Sequence, residues 1–207
     1  MIQGLYSALS AVVAGERSQA VSANNVANIN SVGYKAKYTV LSDLSQGGVK
    51  VLSVNQNNSQ GYYIHTGRPL DLAINGEGYF KVYNEEMEKL TRAGNFYLDK
   101  NGDIVTADGF KLAENLNITP EDNIKIGVNG EIFVNSEPVF NIDIFDSDYN
   151  MLPENSYEIM SGFVEASNVD LAREIISQIV DLRFVQTNSK TIKTTDEMLG
   201  YILDIKS

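Results

Sequence analysis

The two ends of this 207-residue chain constrain its fold more than anything between them. Residues 2–30 are rich in Ala, Val, Leu and Ser, contain no Pro, and carry only Glu16 and Arg17 as charges, a composition that favours helix. Ile2, Leu5, Leu9, Val12, Glu16, Gln19, Ala23 and Val26 follow an alternating 3,4 spacing, which sets one residue per turn on a single stripe. Asn28, Asn30 and Gly33 supply the stop signals. Residues 168–205 again lack Pro, have Gly200 as their only Gly, and repeat the spacing at Leu171, Ile175, Gln178, Leu182, Val185, Ser189, Ile192, Asp196, Leu199 and Leu203. At 1.5 Å of rise per residue the two helices reach on the order of 40 and 55 Å. Neither length fits inside a compact domain of this size, so both are expected to leave a β core.

That core is expected between residues 49 and 157, where short runs rich in β-branched and aromatic residues, such as 49–54, 79–83 and 140–145, read as strands. Asn75-Gly76, Asn101-Gly102 and Asn129-Gly130 each lie between such runs. Asn-Gly favours a type I′ turn because both residues tolerate positive φ, so three hairpins are predicted there. The fold class is α+β: long N- and C-terminal helices paired as a coiled-coil-like layer, with a central all-β domain of hairpins. The expected organisation is a helical segment over 1–38, a β domain over 39–162 and a second helical segment over 163–207.

Both helical stripes mix apolar residues with Gln, Ser, Glu and Asp, whereas an autonomous two-stranded coiled coil keeps nearly all such positions apolar. The physical reading is a helix pair from one chain that is fully buried only against copies of itself or relatives. Burial is expected for the seam residues Leu171, Ile175, Leu182 and Leu199, with the identity of the partner left open. The competing reading is an ordinary helical pair packed over a sheet. A cleaved secretory leader fits poorly: Val12-Val13-Ala14 resembles a cleavage site, but no Lys or Arg precedes the apolar stretch, and Gln3, Tyr6, Ser7 and Ser10 interrupt it.

Composition removes several function classes. Sixteen Lys and Arg against 27 Asp and Glu give a net charge of −11, which argues against nucleic acid as a partner. Without Cys there is no disulfide, thiolate nucleophile or Cys-ligated metal, and His65 alone cannot build a multi-His site. No stretch approaches the roughly 20 apolar residues of a membrane span, so no membrane insertion is expected. Asp99, Asn101 and Asp103 imitate the start of a calcium loop, but its twelfth position is Phe110, and a hairpin turn is the better reading. Gly76-Glu77-Gly78 lacks the third Gly of a phosphate loop, with Lys81 in its place. His65, Asp71 and a Ser could nominally form a triad, but no nucleophile-elbow context supports it, and His65 reads as structural or surface. Arg68 and Asp71 flank a Pro-containing turn suited to an ion pair or to a subunit contact. No cofactor is expected.

Residues 23–35, Ala-Asn-Asn-Val-Ala-Asn-Ile-Asn-Ser-Val-Gly-Tyr-Lys, resemble the N-terminal signature of bacterial flagellar rod and hook proteins. Residues 66–80 with 91–96 resemble the family's central β domain, and residues 162–172, 188–190 and 194–199 resemble its C-terminal signature. The blocks span about half the chain, in the family's order. The resemblance implies a non-enzymatic structural subunit of the basal-body rod, the periplasm-spanning drive shaft that transmits motor torque to the hook. It implies self-assembly, partners among other rod and hook proteins, and transit through the flagellar export apparatus without signal-peptide cleavage. A hook subunit is the alternative, and an extracytoplasmic β-rich enzyme acting on cell wall a more distant one. The assembly interface is expected at Leu5, Leu9, Val12, Asn24, Asn25, Asn28, Gly33 and Tyr34, and at Asn168, Leu171, Ile175, Leu182, Asn188, Ile192 and Leu199.

Overall fold

The computed structural model describes residues 2–45, 47–113, 116, 118–119 and 122–205, the side chains of Ile2, Glu154, Ile202, Leu203 and Ile205 excepted. The stripe positions Ile2 and Leu203 thus lie outside the described side chains. Two compact units emerge. One comprises the terminal segments up to 29 and from 169, together with 35–58; the other comprises 30–34 and 59–168.

The first unit contains helix α1 (Ile2–Ala27), an antiparallel ribbon of β1 (Lys37–Asp43) and β2 (Val49–Gln56), and helix α2 (Leu171–Ile205). The ends of the helices are set by polar side chains. At the C-terminus of α1 the Asn28 amide group donates to the Asn24 carbonyl at 2.8 Å. At the start of α2 the Asp170 carboxylate accepts from the backbone N–H groups of Ala172 and Arg173 at 3.0 and 3.2 Å, the usual satisfaction of orphan first-turn donors. The two long helices pack together, as the terminal periodicities predict.

The second unit is antiparallel throughout. Its strands are β3 (Tyr63–His65), β4 (Leu72–Gly76), β5 (Tyr79–Tyr83), β6 (Glu88–Thr91), β7 (Tyr97–Leu98), β8 (Ile104–Val105), β9 (Lys111–Ala113), β10 (Ile124–Ile126), β11 (Glu131–Val134), β12 (Glu137–Asn141), β13 (Ile144–Phe145), β14 (Tyr157–Ser161) and β15 (Phe163–Glu165). A six-stranded sheet runs β13-β5-β9-β8-β7 with β6 also on β5, and β10-β11-β12 form a meander. Strands distant in sequence close the unit, β3 on β15 and β4 on β14. The core is aliphatic around Leu72, Ile74, Ile104, Ile132, Ile142, Ile144 and Ile159, with Phe80 and Phe96 edge-to-face at 5.3 Å.

The turns correct the sequence reading. Asn101-Gly102 and Asn129-Gly130 do lie in hairpins, β7–β8 and β10–β11, but only the Gly of each pair has positive φ, so neither is type I′. Asn75-Gly76 forms no hairpin, because β4 is claimed by β14 instead of β5. In the second unit, two consecutive positive φ values occur instead at Asn135-Ser136 (54° and 74°), between β11 and β12, as they do in the first unit at Gly47-Gly48 (86° and 106°). A long-range strand pairing outcompeted a local turn in one case, and Ser took a position expected of Gly in the other.

One buried ion pair ties the second unit together. Arg92 and Glu165 meet at 3.1 Å with side chains 4% and 1% exposed. Arg92 also donates to the carbonyls of Ile74 (3.0 Å) and Gly76 (2.6 Å), and Glu165 accepts from the Gly61 N–H at 2.9 Å. Gly33, at φ +66°, donates to the Glu165 carbonyl at 2.7 Å, and a Cβ there would lie 2.3 Å from the Arg92 backbone. Residues 30–34 thus join the unit through a position only Gly can occupy. Arg92→Met should destabilise this unit by about 3–5 kcal/mol by stranding the Glu165 charge. Combining it with Glu165→Gln should recover most of that loss, measured by urea unfolding.

Candidate functional site

The features with functional content lie on the helices of the first unit. α1 presents Gly15, Ser18, Ser22 and Asn25 to α2, and the buried Ala8 and Ala11 continue the same 3,4 repeat of small or short polar residues. A Cβ on Gly15 would meet Val185 Cγ2 at 2.7 Å and Phe184 Cδ1 at 3.2 Å, so the backbones approach as closely as a glycine permits. Elsewhere along this stripe the facing residues of α2 are acidic. Glu174 accepts from the Ser22 hydroxyl at 2.5 Å and from the Asn25 amide at 2.9 Å, and Ser18 donates to Asp181. The order of these contacts, 25 and 22 against 174, 18 against 181, 15 against 185, makes the helices antiparallel.

Asn25 is the junction of the unit. It is 1% exposed; its amide donates to the Lys37 carbonyl at 2.7 Å, and its oxygen accepts from the Lys37 N–H at 2.9 Å. A single amide therefore joins α1 to both β1 and α2, and every polar atom finds a partner of the right sense.

The stripes read from sequence have the right period; on α1 the face toward α2 lies one position out of phase with the stripe, while on α2 the stripe residue Val185 does meet Gly15. Leu9, Glu16 and Ala23 face outward on α1, and on α2 Leu171, Ile175 and Leu182 are 43%, 45% and 42% exposed in the single chain, so α1 is not the partner that buries them. Leu199, with Leu5, Val12, Asn188 and Ile192, is half-buried. Apolarity was the selector used, whereas close approach selects for small size and the seam takes the residues beside the apolar ones. The signal that could have found the seam is the Ala-Ala-Gly-Ser-Ser-Asn repeat itself, one position out of phase with the leucines.

The remaining predicted residues divide in two. Asn25, Asn28, Gly33, Tyr34 and Asn168 serve fixings within a unit: the Asn168 N–H donates to the Tyr34 carbonyl at 3.2 Å and its amide to the Ser59 carbonyl at 2.7 Å. Asn24, Leu9, Leu171, Ile175 and Leu182 point outward. Beside them Ile176, Ile179, Val180 and Phe184 are also exposed, so the first half of α2 is apolar on its flanks as well. On α1, Tyr6, Leu9 and Val13 join Leu44, Val49 and Val51 of the ribbon around an open apolar groove of about 400 Å³, with Arg17 and Lys50 on its lining.

The chemical candidates in the sequence prove local. Asp99 Oδ1 accepts from the N–H groups of Asn101 and Asp103 at 2.8 and 2.9 Å, and these bonds, chiefly that from Asp103, lower its pKa. Asp103 pairs with Lys111 at 3.0 Å. Arg68 lies 3.6 Å from Asp71, and the ring of exposed His65 is 4.9 Å from that of Phe163. Among the described residues no group of three or more His, Cys, Asp or Glu side chains is placed to hold a metal, and no helix is long and apolar enough to cross a membrane.

The order of parts along the chain, paired terminal helices around an antiparallel β unit, is matched by three family profiles. "Flagella basal body rod protein" matches residues 5–35, "Flagellar hook protein FlgE/F/G D1 domain" residues 73–134, and "Flagellar basal body rod FlgEFG protein C-terminal" residues 160–205. The chain is 31% identical to the flagellar basal-body rod protein FlgG of Bacillus subtilis over 264 aligned positions that cover all of both chains. It belongs to the flagellar basal-body rod protein family. The rod protein FlgG of Caulobacter vibrioides is 30% identical over 267 positions, again covering both chains fully, and the FlgF of Mesorhizobium japonicum 27% identical over 226 positions, covering 94% of each. The chain is a FlgG-like structural subunit, and the family is one of structural proteins and not of enzymes. Gly15→Leu should separate α1 from α2, at a cost of at least about 1–3 kcal/mol to the first unit. The urea transition of the β unit should stay unchanged, with the two transitions separated by far-UV circular dichroism and tyrosine fluorescence.

Proposed function

We propose that this subunit assembles with copies of itself and with other rod and hook proteins into the drive shaft that carries motor torque to the hook. The observation that carries this reading is the outward placement of Leu171, Ile175, Ile176, Ile179, Val180 and Leu182 on α2, beside a seam in which Ser22 and Asn25 bond Glu174 within the chain. Exposed apolar surface of this extent on consecutive turns is costly in water and favours association. The groove on α1 and the ribbon is a second surface of different shape, and contacts between unlike surfaces of one chain propagate into helical polymers. Long helices packed side by side resist twist, because sliding would break a continuous interface at close-packed density.

Residues 1–38 and 163–207 act in this reading as the assembly segments and 39–162 as the body between them. The subunit reaches the periplasm-spanning rod through the flagellar export apparatus and keeps its N-terminus. Peptide mass mapping of isolated basal bodies should therefore recover residues 2–14; a mature chain beginning at Gly15 would overturn the export route. Leu182→Asp should leave both units folded in the isolated chain, since the side chain is exposed there, yet abolish incorporation into the rod. In the assembled interface the same charge costs about 3–5 kcal/mol. Motility and basal-body composition, read beside circular dichroism of the purified variant, check this. Normal motility would remove Leu182 from the interface.

A further inference from the structure

Asp181 occupies the helix seam in a way that the packing of α1 against α2 does not require. Its carboxylate accepts from the Ser18 hydroxyl, and its second oxygen, Oδ2, is enclosed without a hydrogen-bond partner among the described residues. Every other α1 position in the seam is Ala8, Ala11, Gly15, Ser22 or Asn25, none of which carries a charge. The charged residues of α1 nearest in sequence, Glu16 and Arg17, are exposed. On α2 itself the neighbouring charge is Glu174, a like charge, while Arg173 and Arg183 are exposed, the latter donating to Gln186. Glu174 and Asp181 are not equivalent. Both oxygens of Glu174 are held by Ser22 and Asn25, whereas Asp181 has one donor and one bare oxygen. An ionised Asp181 therefore places an under-solvated charge beside a second carboxylate in a seam closed by a glycine.

We propose that Asp181 is a pH-sensitive latch on the pairing of the terminal helices, closing the seam when protonated and loosening it when ionised. Protonation removes the charge and its repulsion from Glu174, and the new O–H can donate to Ser18, whose hydroxyl accepts as readily as it donates. Burial first, and the Glu174 charge beside it, hold the Asp181 pKa above the ordinary carboxylate range, the Ser18 bond opposing them. The paired state thus binds this proton more tightly than the unpaired chain does. Pairing strengthens as pH falls from neutral through the raised native value, and that gain is complete below the ordinary value of the unpaired chain. The latch is a property of the single chain and does not depend on the rod reading, so each stands or falls alone.

Hydrogen exchange of the full-length monomer, followed by mass spectrometry and corrected for the intrinsic pH dependence of exchange, reads the seam directly. As the pH falls from about 8 to about 3.5, below the ordinary carboxylate value, peptides covering residues 8–25 and 174–192 should gain protection, by up to about tenfold per pH unit within the titrating window. Peptides from the β unit provide the baseline. Asp181→Asn should lack the added slope, its protection at pH 8 matching what the natural chain reaches only once Asp181 is protonated. Asp181→Ala, which removes the acid without supplying an amide donor, should lose the same slope even if its pairing is weaker overall. A flat profile in the natural chain, or a slope that survives in either variant, would overturn the proposal.

Discussion

The close approach of α1 and α2 is the constraint on which the first unit depends. A stripe of Ala, Gly, Ser and Asn contributes little apolar area, so the pair cannot rest on the hydrophobic effect as a leucine seam would. It relies on short-range packing and on hydrogen bonds from Ser22 and Asn25 to Glu174, interactions that work only when the backbones are near. Gly15 sets that distance against Val185 and Phe184. Asn25 converts it into architecture by bonding both edges of the Lys37 peptide while holding Glu174.

The second unit solves a different problem by different means. Its interior is an ordinary aliphatic core, but the strands that close it, β3 with β15 and β4 with β14, come from opposite ends of the segment. Arg92 reaches the carbonyls at the end of β4 while Glu165, the last residue of β15, satisfies Gly61 and pairs with Arg92. A buried ion pair is an expensive way to gain stability, and its value here is that few other arrangements of the chain satisfy so many directional groups at once. The same Glu165 carbonyl receives Gly33, which belongs to the N-terminal family signature. Much of that signature therefore serves fixings within the chain.

This division of labour suits a structural subunit. Polar, geometrically exacting contacts are used where one chain must find its own fold, and large apolar side chains on α2 are left outside, where association with many neighbours needs area more than direction. The alignments to the Bacillus and Caulobacter rod proteins are longer than this chain, so the relatives carry residues it lacks, while the terminal and central blocks are kept.

The sequence by itself determined the existence and extent of the two helices, because Pro-free segments with a 3,4 period leave the backbone little choice. It also determined the α+β class and, through residues 23–35 and 162–172, the family. Periodicity fixes how often a helix face recurs without saying which face is buried, and here the choice fell to small size instead of apolarity, turning Leu171, Ile175 and Leu182 outward. Turn chemistry is local, so it located the loops at Asn101-Gly102 and Asn129-Gly130; it failed at Asn75-Gly76, where β14, some 80 residues on, claims β4. The Arg92–Glu165 pair and the Asp181 carboxylate could not be read in advance for one reason. Burial and neighbouring charge give those groups their character, and both exist only once distant segments have been brought together.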